Sequence, residues 1–167
     1  MRRSMFMFTL GLIFISTNIF SQVANKKLTG QDFTGEVTIN ATPQQVWAVL
    51  TDLQKFSSVM GIEYKGAAKK LEKVGDSAPV NYGGDSGMWI LVYARPGSEL
   101  RYSWEPDNAS YLCQERWILT PAGKGTKVQY EDRYTESGPQ TAEAIAEQVK
   151  SYNQALARLK TMCEGKS

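Results

Sequence analysis

The feature that most constrains this chain is a one-sided apolar stripe near its C-terminus. Ala142, Ile145, Val149, Tyr152, Leu156, Leu159 and Cys163 recur at spacings of three and four, which draws a single face along an amphipathic helix. That helix begins after Gly138-Pro139 and spans about 33 Å from Ala142 to Cys163, long enough to cross an entire sheet. Such a face must be buried, and the preceding segments are strands.

From Tyr64 onward the chain reads as successive antiparallel strands. They are separated by Val74-Gly75-Asp76, Gly83-Gly84-Asp85-Ser86-Gly87, Arg95-Pro96-Gly97-Ser98, Pro106-Asp107-Asn108 and Pro121-Ala122-Gly123-Lys124-Gly125, all turn-forming clusters. Six strands fit those boundaries. The Gly83 to Gly87 run lacks the lysine and following helix of a phosphate-binding loop and reads as a hairpin turn. One strand precedes them over residues 33–40, where Phe33, Gly35, Val37 and Ile39 alternate with polar residues. A helix follows at once: Thr42-Pro43-Gln44-Gln45 supplies a capping threonine, a proline in the first turn and a glutamine at the third position. Val46, Val49, Leu50 and Leu53 form its apolar stripe, and Phe56 and Val59 suggest a second short helix or turn before Gly61.

The order is therefore strand, two short helices, six strands and a long helix. This is an α+β chain with a seven-stranded curved antiparallel sheet, and the long helix is the element able to cover one face of it. A half-open grip with space inside is expected.

That order, together with Ala41, Pro43, Val46, Trp47, Leu50 and Asp52 at the entry to the first helix, resembles the START-like helix-grip superfamily (SRPBCC). Trp117-Ile118-Leu119 and Gly125-Thr126-Lys127-Val128 in the final hairpin are similar to the polyketide cyclase/dehydrase and lipid-transport group within it. The resemblance covers about residues 33–163. It implies a cavity for a hydrophobic or amphipathic molecule, with cyclases, hydratases, lipid carriers and hormone receptors all among the relatives. No active residue is common to them, so the resemblance transfers no catalytic role.

Hairpin parity separates the faces of the sheet. A tight turn at Pro96-Gly97 places Trp89, Leu91 and Tyr93 on one face with Leu100, Tyr102 and Trp104, leaving Arg101, Ser103 and Glu105 outside. The next hairpins put Tyr111, Cys113, Glu115, Trp117 and Leu119 on the inner face, and Val128, Tyr130, Asp132 and Tyr134 with them. Gln114, Arg116, Lys127, Gln129, Glu131 and Arg133 then face outward. With Tyr152 from the long helix, the inner rings form a lining suited to an amphipathic or ring-containing ligand. The plain alternative is that the rings fill the core.

Glu115 and Asp132 break the apolar pattern of that face. If the last hairpin pairs residues whose numbers sum to 247, they lie directly opposite each other, and mutual repulsion and burial raise at least one carboxyl pKa. They are either polar points near the mouth bonded to tyrosine hydroxyls or water, or the groups that recognise or chemically act on a ligand. A register one residue different would remove their opposition.

Several function classes are excluded. There is no histidine, which removes the histidine-dependent nucleophile systems and almost every zinc site; no metal and no cofactor is expected. Residues 1–21 read as a secretory signal peptide, with Arg2 and Arg3 before an apolar run interrupted by Thr9, Gly11, Ser16, Thr17 and Asn18. A retained membrane anchor is the alternative. Residues 22–32 are polar and aperiodic and read as a flexible lead-in to a domain over 33–165. Without the two leader arginines, 17 basic residues balance 17 acidic ones, so a nucleic-acid partner lacks its electrostatic footprint. No stable membrane insertion follows signal removal. Cys113 and Cys163 sit a helix length apart in this topology and are expected to be free. The chain thus reads as an exported, periplasmic or secreted binding protein for a small hydrophobic or amphipathic ligand. The alternative is a cyclase, aromatase or hydratase-type enzyme using Glu115 and Asp132.

Overall fold

The computed structural model describes residues 28–62, 64 and 66–165. Its elements in chain order are β1 (Leu28–Ile39), α1 (Pro43–Thr51), α2 (Leu53–Met60), β2 (Ser77–Tyr82), β3 (Asp85–Arg95), β4 (Glu99–Pro106), β5 (Tyr111–Ala122), β6 (Gly125–Ser137) and α3 (Ala142–Glu164). The signal-peptide reading and residues 22–27 of the lead-in lie outside the described residues. β1 begins at Leu28, earlier than period-two alternation indicates, because residues 28–32 pair with the far end of β6, from Leu28↔Ser137 to Asp32↔Arg133.

The sheet is antiparallel with the order β1-β6-β5-β4-β3-β2 and has six strands, not the seven expected. The missing strand is the stretch after Tyr64. Residues 66–73 hold only one large apolar side chain, Leu71, and no alternation. They clip instead onto the junction of α1 and α2, where Leu71 N–H donates to Thr51 O at 3.1 Å and Leu53 N–H to Lys69 O at 3.0 Å.

Local signals explain the helices. Thr42 accepts from Gln45 N–H while the Gln45 side chain returns to Thr42 N–H, completing a capping box with Pro43 in the first turn. Asp52 ends α1 and caps α2 by accepting from Lys55 N–H, and Gly61 closes α2 in a left-handed conformation, φ 78°. The β2–β3 hairpin turns on Gly83 and Gly84, both with positive φ, as a two-residue turn requires.

The core lies between the sheet and the helices. Phe56 of α2 is fully buried and its ring stands 4.6 Å from Trp89, 4.8 Å from Tyr102 and 6.1 Å from Trp117, centroid to centroid. Tyr102 hydroxyl donates to Leu50 O of α1 at 2.9 Å, so the same tyrosine packs against one helix and bonds the other. The C-terminal half of α3 is buried through Ala155, Leu156 and Leu159. Leu156 seats on Gly35 of β1, where a Cβ would come within 2.8 Å of it, and Arg158 donates to Val59 O at 2.7 Å. The N-terminal half is different: Ile145 is only partly buried and Val149 is 43% exposed. The apolar stripe of α3 therefore runs on past the surface it covers.

One inner-face assignment is corrected. Trp89↔Trp104 and Leu91↔Tyr102 pair as parity predicts, but a bulge between Leu91 and Tyr93 shifts the register so that Tyr93 faces Arg101. Tyr93 lies on the outer face, 38% exposed, with the Arg101 guanidinium 4.9 Å from its ring centroid. Ser103 departs in the other direction, being buried. Both cysteines are free, Cys113 buried and Cys163 half-buried.

The two tyrosines make the difference measurable. Tyr102→Ala should cost about 3–5 kcal/mol, the range for emptying a large aromatic site in a core, whereas Tyr93→Ala should cost less than about 1 kcal/mol. Urea denaturation midpoints compare them. Equal losses would return Tyr93 to the core and remove the bulge.

Candidate functional site

The β5–β6 hairpin builds the site. Its register pairs Tyr111↔Glu136 through Ala122↔Gly125 and sets Glu115 directly opposite Asp132. Alternation turns both toward the core, where they are 4% and 2% exposed. Two buried carboxyls facing each other are costly, so their partners matter.

Glu115 Oε2 accepts from the Trp117 indole N–H at 3.4 Å, a long bond, and the Trp89 indole also favours its charge. Asp132 Oδ2 accepts from the Tyr152 hydroxyl of α3 at 2.5 Å. Asp132 Oδ1 and the Tyr130 hydroxyl are buried with no hydrogen-bond partner. Burial raises the Glu115 pKa to about 8, helped by the Asp132 charge and opposed by the two indoles. Burial likewise raises Asp132, to about 6, against the stabilising Tyr152 hydroxyl and Gln114 N–H and with the Asp32 charge. The pair therefore keeps a proton at neutral pH, placing a carboxylic acid beside a carboxylate.

The surrounding wall is aromatic. Trp117 and Tyr130 lie 4.3 Å apart, Tyr130 and Tyr152 5.2 Å apart, and Tyr82 meets Trp104 edge-on at 6.3 Å. Between these rings a cavity of about 20 Å³ remains, lined by Met60, Tyr82, Trp89, Trp104, Cys113, Glu115 and Tyr152. That is room for about one water molecule. The Cys113 thiol on its edge is driven far up by burial and by Asp132 and Glu115, so it is not a ready nucleophile. Toward solvent, Trp104 donates to the Tyr111 hydroxyl at 3.1 Å, and Tyr111 donates to Asp85 at 3.2 Å. The Tyr82 hydroxyl lies within reach of Ser151 on α3. This rim adjoins the loosely packed half of α3.

The sequence-derived residues are thus distributed unevenly. Trp89, Trp104, Glu115 and Tyr152 line the residual cavity, and Asp132 and Tyr130 stand buried beside it. Leu91, Tyr102 and Trp117 are packed fully into the core, and Tyr111 is half-buried, stacked on Tyr134 at 5.2 Å. Tyr93 is outside. Tyr82 and Met60 were not among the candidates, although Ala78, Val80 and Tyr82 alternate on β2 and Met60 lies one helical turn after Phe56.

A larger hollow of about 620 Å³ lies against the outer face of the sheet. Glu115 and Asp132 line it together with Arg101, Gln114, Arg116, Glu131 and Arg133, although the alternation of β5 and β6 turns the two carboxyl side chains inward. Its charges answer each other: Arg116 bridges Glu99 at 2.7 Å and Glu131 at 3.1 Å, and Arg133 pairs with Asp32 at 3.1 Å. Those paired surface charges leave it no distinct chemistry.

Comparison with known proteins agrees with this architecture. The family described as polyketide cyclase / dehydrase and lipid transport matches residues 30–164. No curated protein sequence matches. DynU16, a protein of the dynemicin biosynthetic locus, is similar in structure at a TM-score of 0.62 and 20% identity over 81% of this chain. This chain spans only 48% of DynU16. An uncharacterised protein of Rhizobium leguminosarum aligns at a TM-score of 0.67 and 10% identity, over 84% of this chain and 98% of its own. Protein Mll3558 of Rhizobium loti gives 0.60 and 19%, over 79% and 99%. At these identities the likeness is one of fold.

The raised carboxyls carry a pH signature. Unfolded carboxyls titrate near 4, so between about pH 4 and the folded values of about 6 and about 8 the native protein holds more protons than the unfolded chain. Stability must then fall as pH rises through that window. The titratable groups that interact with the pair from the inner face are Tyr82, Tyr102, Cys113, Tyr130 and Tyr152, none of them cationic. Asp32, which also raises Asp132, is exposed and paired with Arg133 on the outer face. Thermal melts from pH 5 to pH 8.5 should show this fall, and Glu115→Gln should flatten it, each kcal/mol appearing as roughly 3 °C in a domain of this size. The same slope in both proteins would place Glu115 in solvent.

Proposed function

The chain belongs to the polyketide cyclase/dehydrase and lipid transport family, and from that premise we propose that it is an exported binding protein for a small amphipathic ligand. The ligand's polar end meets Glu115 and Asp132, and its apolar part meets Trp89, Trp104, Tyr82 and Tyr152. One observation carries this reading: Glu115 lines an aromatic-walled space next to the half of α3 that is least well packed, and its cross-strand partner Asp132 has an oxygen without a hydrogen-bond partner. The space as it stands holds about a water. Entry of a ligand therefore requires residues 142–152 to move away from the rim while Leu156 and Leu159 stay seated. The part of α3 with few buried contacts is the part expected to open locally. Export is supported by Arg2-Arg3 and the short interrupted apolar run after them.

A second reading is a cyclase, aromatase or hydratase-type enzyme. The observation favouring it is the Tyr152 hydroxyl 2.5 Å from Asp132, alongside Glu115, whose raised pKa keeps it protonated. Such a set holds a proton donor and a proton acceptor side by side, as general acid–base catalysis needs.

Two measurements test the proposal. Native mass spectrometry of protein purified from the cell envelope should show a chain lacking residues 1–21 and a bound small molecule. A mass that includes the leader would mean a retained membrane anchor in place of a cleaved signal, and a ligand-free protein that binds no hydrophobic probe contradicts the carrier reading. Hydrogen exchange should be faster at amides 146–152 than at 156–162, and the added ligand should slow the former. Uniform protection along α3 would leave the ligand no way in.

A further inference from the structure

The inner face of the sheet lacks a positive charge. Neither carboxyl of the pair has a lysine or arginine among the groups that shift it, and the ion pairs of β4, β5 and β6 lie on the outer face, from Glu99 to Arg116 and Glu131. Besides Glu115 itself, the described residues lining the small cavity are indoles, phenols, a thiol and a thioether. A buried carboxylate is normally paired with a cation or fully hydrogen-bonded. Here Asp132, 2% exposed, leaves Oδ1 without a donor, and Tyr130, 1% exposed, leaves its hydroxyl without a partner. Tyr130 lies on the same strand face as Asp132, its ring 4.3 Å from that of Trp117 and 5.2 Å from that of Tyr152.

We propose that the ligand is a small amphipath bearing a protonated amine, its ammonium group seated between Glu115 and Asp132 and its apolar part directed past Tyr82 toward the rim beside α3. The inference deepens the binding reading above and rests on it. An ammonium supplies the charge this face lacks and three N–H donors for Asp132 Oδ1, the Glu115 carboxyl oxygen and the Tyr130 oxygen. The electron-rich faces of Trp and Tyr favour a cation over a neutral group of the same size. An anionic head would meet two carboxyls and no counter-charge. A neutral alcohol brings one donor and leaves the buried charge uncompensated. The space beside Glu115, about 20 Å³, takes a head group the size of a water or an ammonium and nothing much larger.

Isothermal titration calorimetry with three probes of one shape tests this: 2-phenylethylammonium, 2-phenylethanol and phenylacetate. The ammonium should bind at least roughly ten-fold more tightly than the alcohol, as expected for a buried hydrogen bond to a charged group, and phenylacetate should not bind. Glu115→Gln and Asp132→Asn should each reduce the ammonium-to-alcohol ratio several-fold while leaving alcohol binding in place. Should either variant fail to fold, as judged by circular dichroism, the wild-type ratio decides alone. Equal binding of ammonium and alcohol would overturn the amine and leave the amphipath reading standing. Binding of none of the three would overturn both. Tighter binding of phenylacetate would reverse the charge assignment.

Discussion

The structure depends on one register. β5 and β6 pair so that Glu115 meets Asp132, Trp117 meets Tyr130 and Leu119 meets Val128, and every inner-face property follows from that alignment. A slip of β6 by one residue against β5 would turn Gln129, Glu131 and Arg133 into the core and is forbidden by their desolvation. The tight turn between Ala122 and Gly125 sets the alignment locally, and the ladder from β6 to β1 extends it to the edge of the sheet. Thr126, fully buried, donates to Ala41 O at 2.6 Å and ties the start of β6 to the entry of α1. Helix and hairpin are thereby indexed to each other.

Within that frame Phe56 divides the interior. Packed among Trp89, Tyr102 and Trp117, it turns one side of the grip into ordinary core, of the close-packed kind that tolerates no empty space. The other side is left with the carboxyl pair, Trp104, Tyr82 and Tyr152, covered by Met60 of α2 and the less embedded half of α3. Stability and binding are therefore assigned to different parts of one continuous aromatic cluster. The unsatisfied oxygens of Asp132 and Tyr130 fall on the binding side, where a ligand or a water can reach them.

Much of this was legible from the residues, for identifiable reasons. The capping box at Thr42 and Gln45, the alternation of β5 and β6 and the three-four stripe of α3 are local patterns with one structural solution each. The opposition of Glu115 and Asp132 needed only that alternation and one turn. What escaped was non-local. The bulge that turns Tyr93 outward leaves no mark in its own strand, since Arg101 supplies the reason from the neighbouring one. The strand expected after Tyr64 failed because residues 66–73 find their hydrogen bonds on a helix junction. Parity showed which rings point inward, but whether Phe56 would occupy the space between them is a matter of how deeply a helix sits. Tyr82 could have been found, since it falls in phase with Ala78 and Val80 just before the Gly83-Gly84 turn.

The binding side stands or falls with Glu115 and Asp132 as a coupled, proton-sharing pair inside the sheet. Titration of the side-chain carboxyl carbons by 13C NMR addresses it residue by residue. Two carboxyls should titrate well above the ordinary range near 4, both with curves broadened by their coupling. In Glu115→Gln one of these signals should vanish and the Asp132 signal should move down, because a neighbouring charge has gone. If every carboxyl titrates in the ordinary range, or if Asp132 is indifferent to the substitution, the pair is not buried face to face and the site described here does not exist.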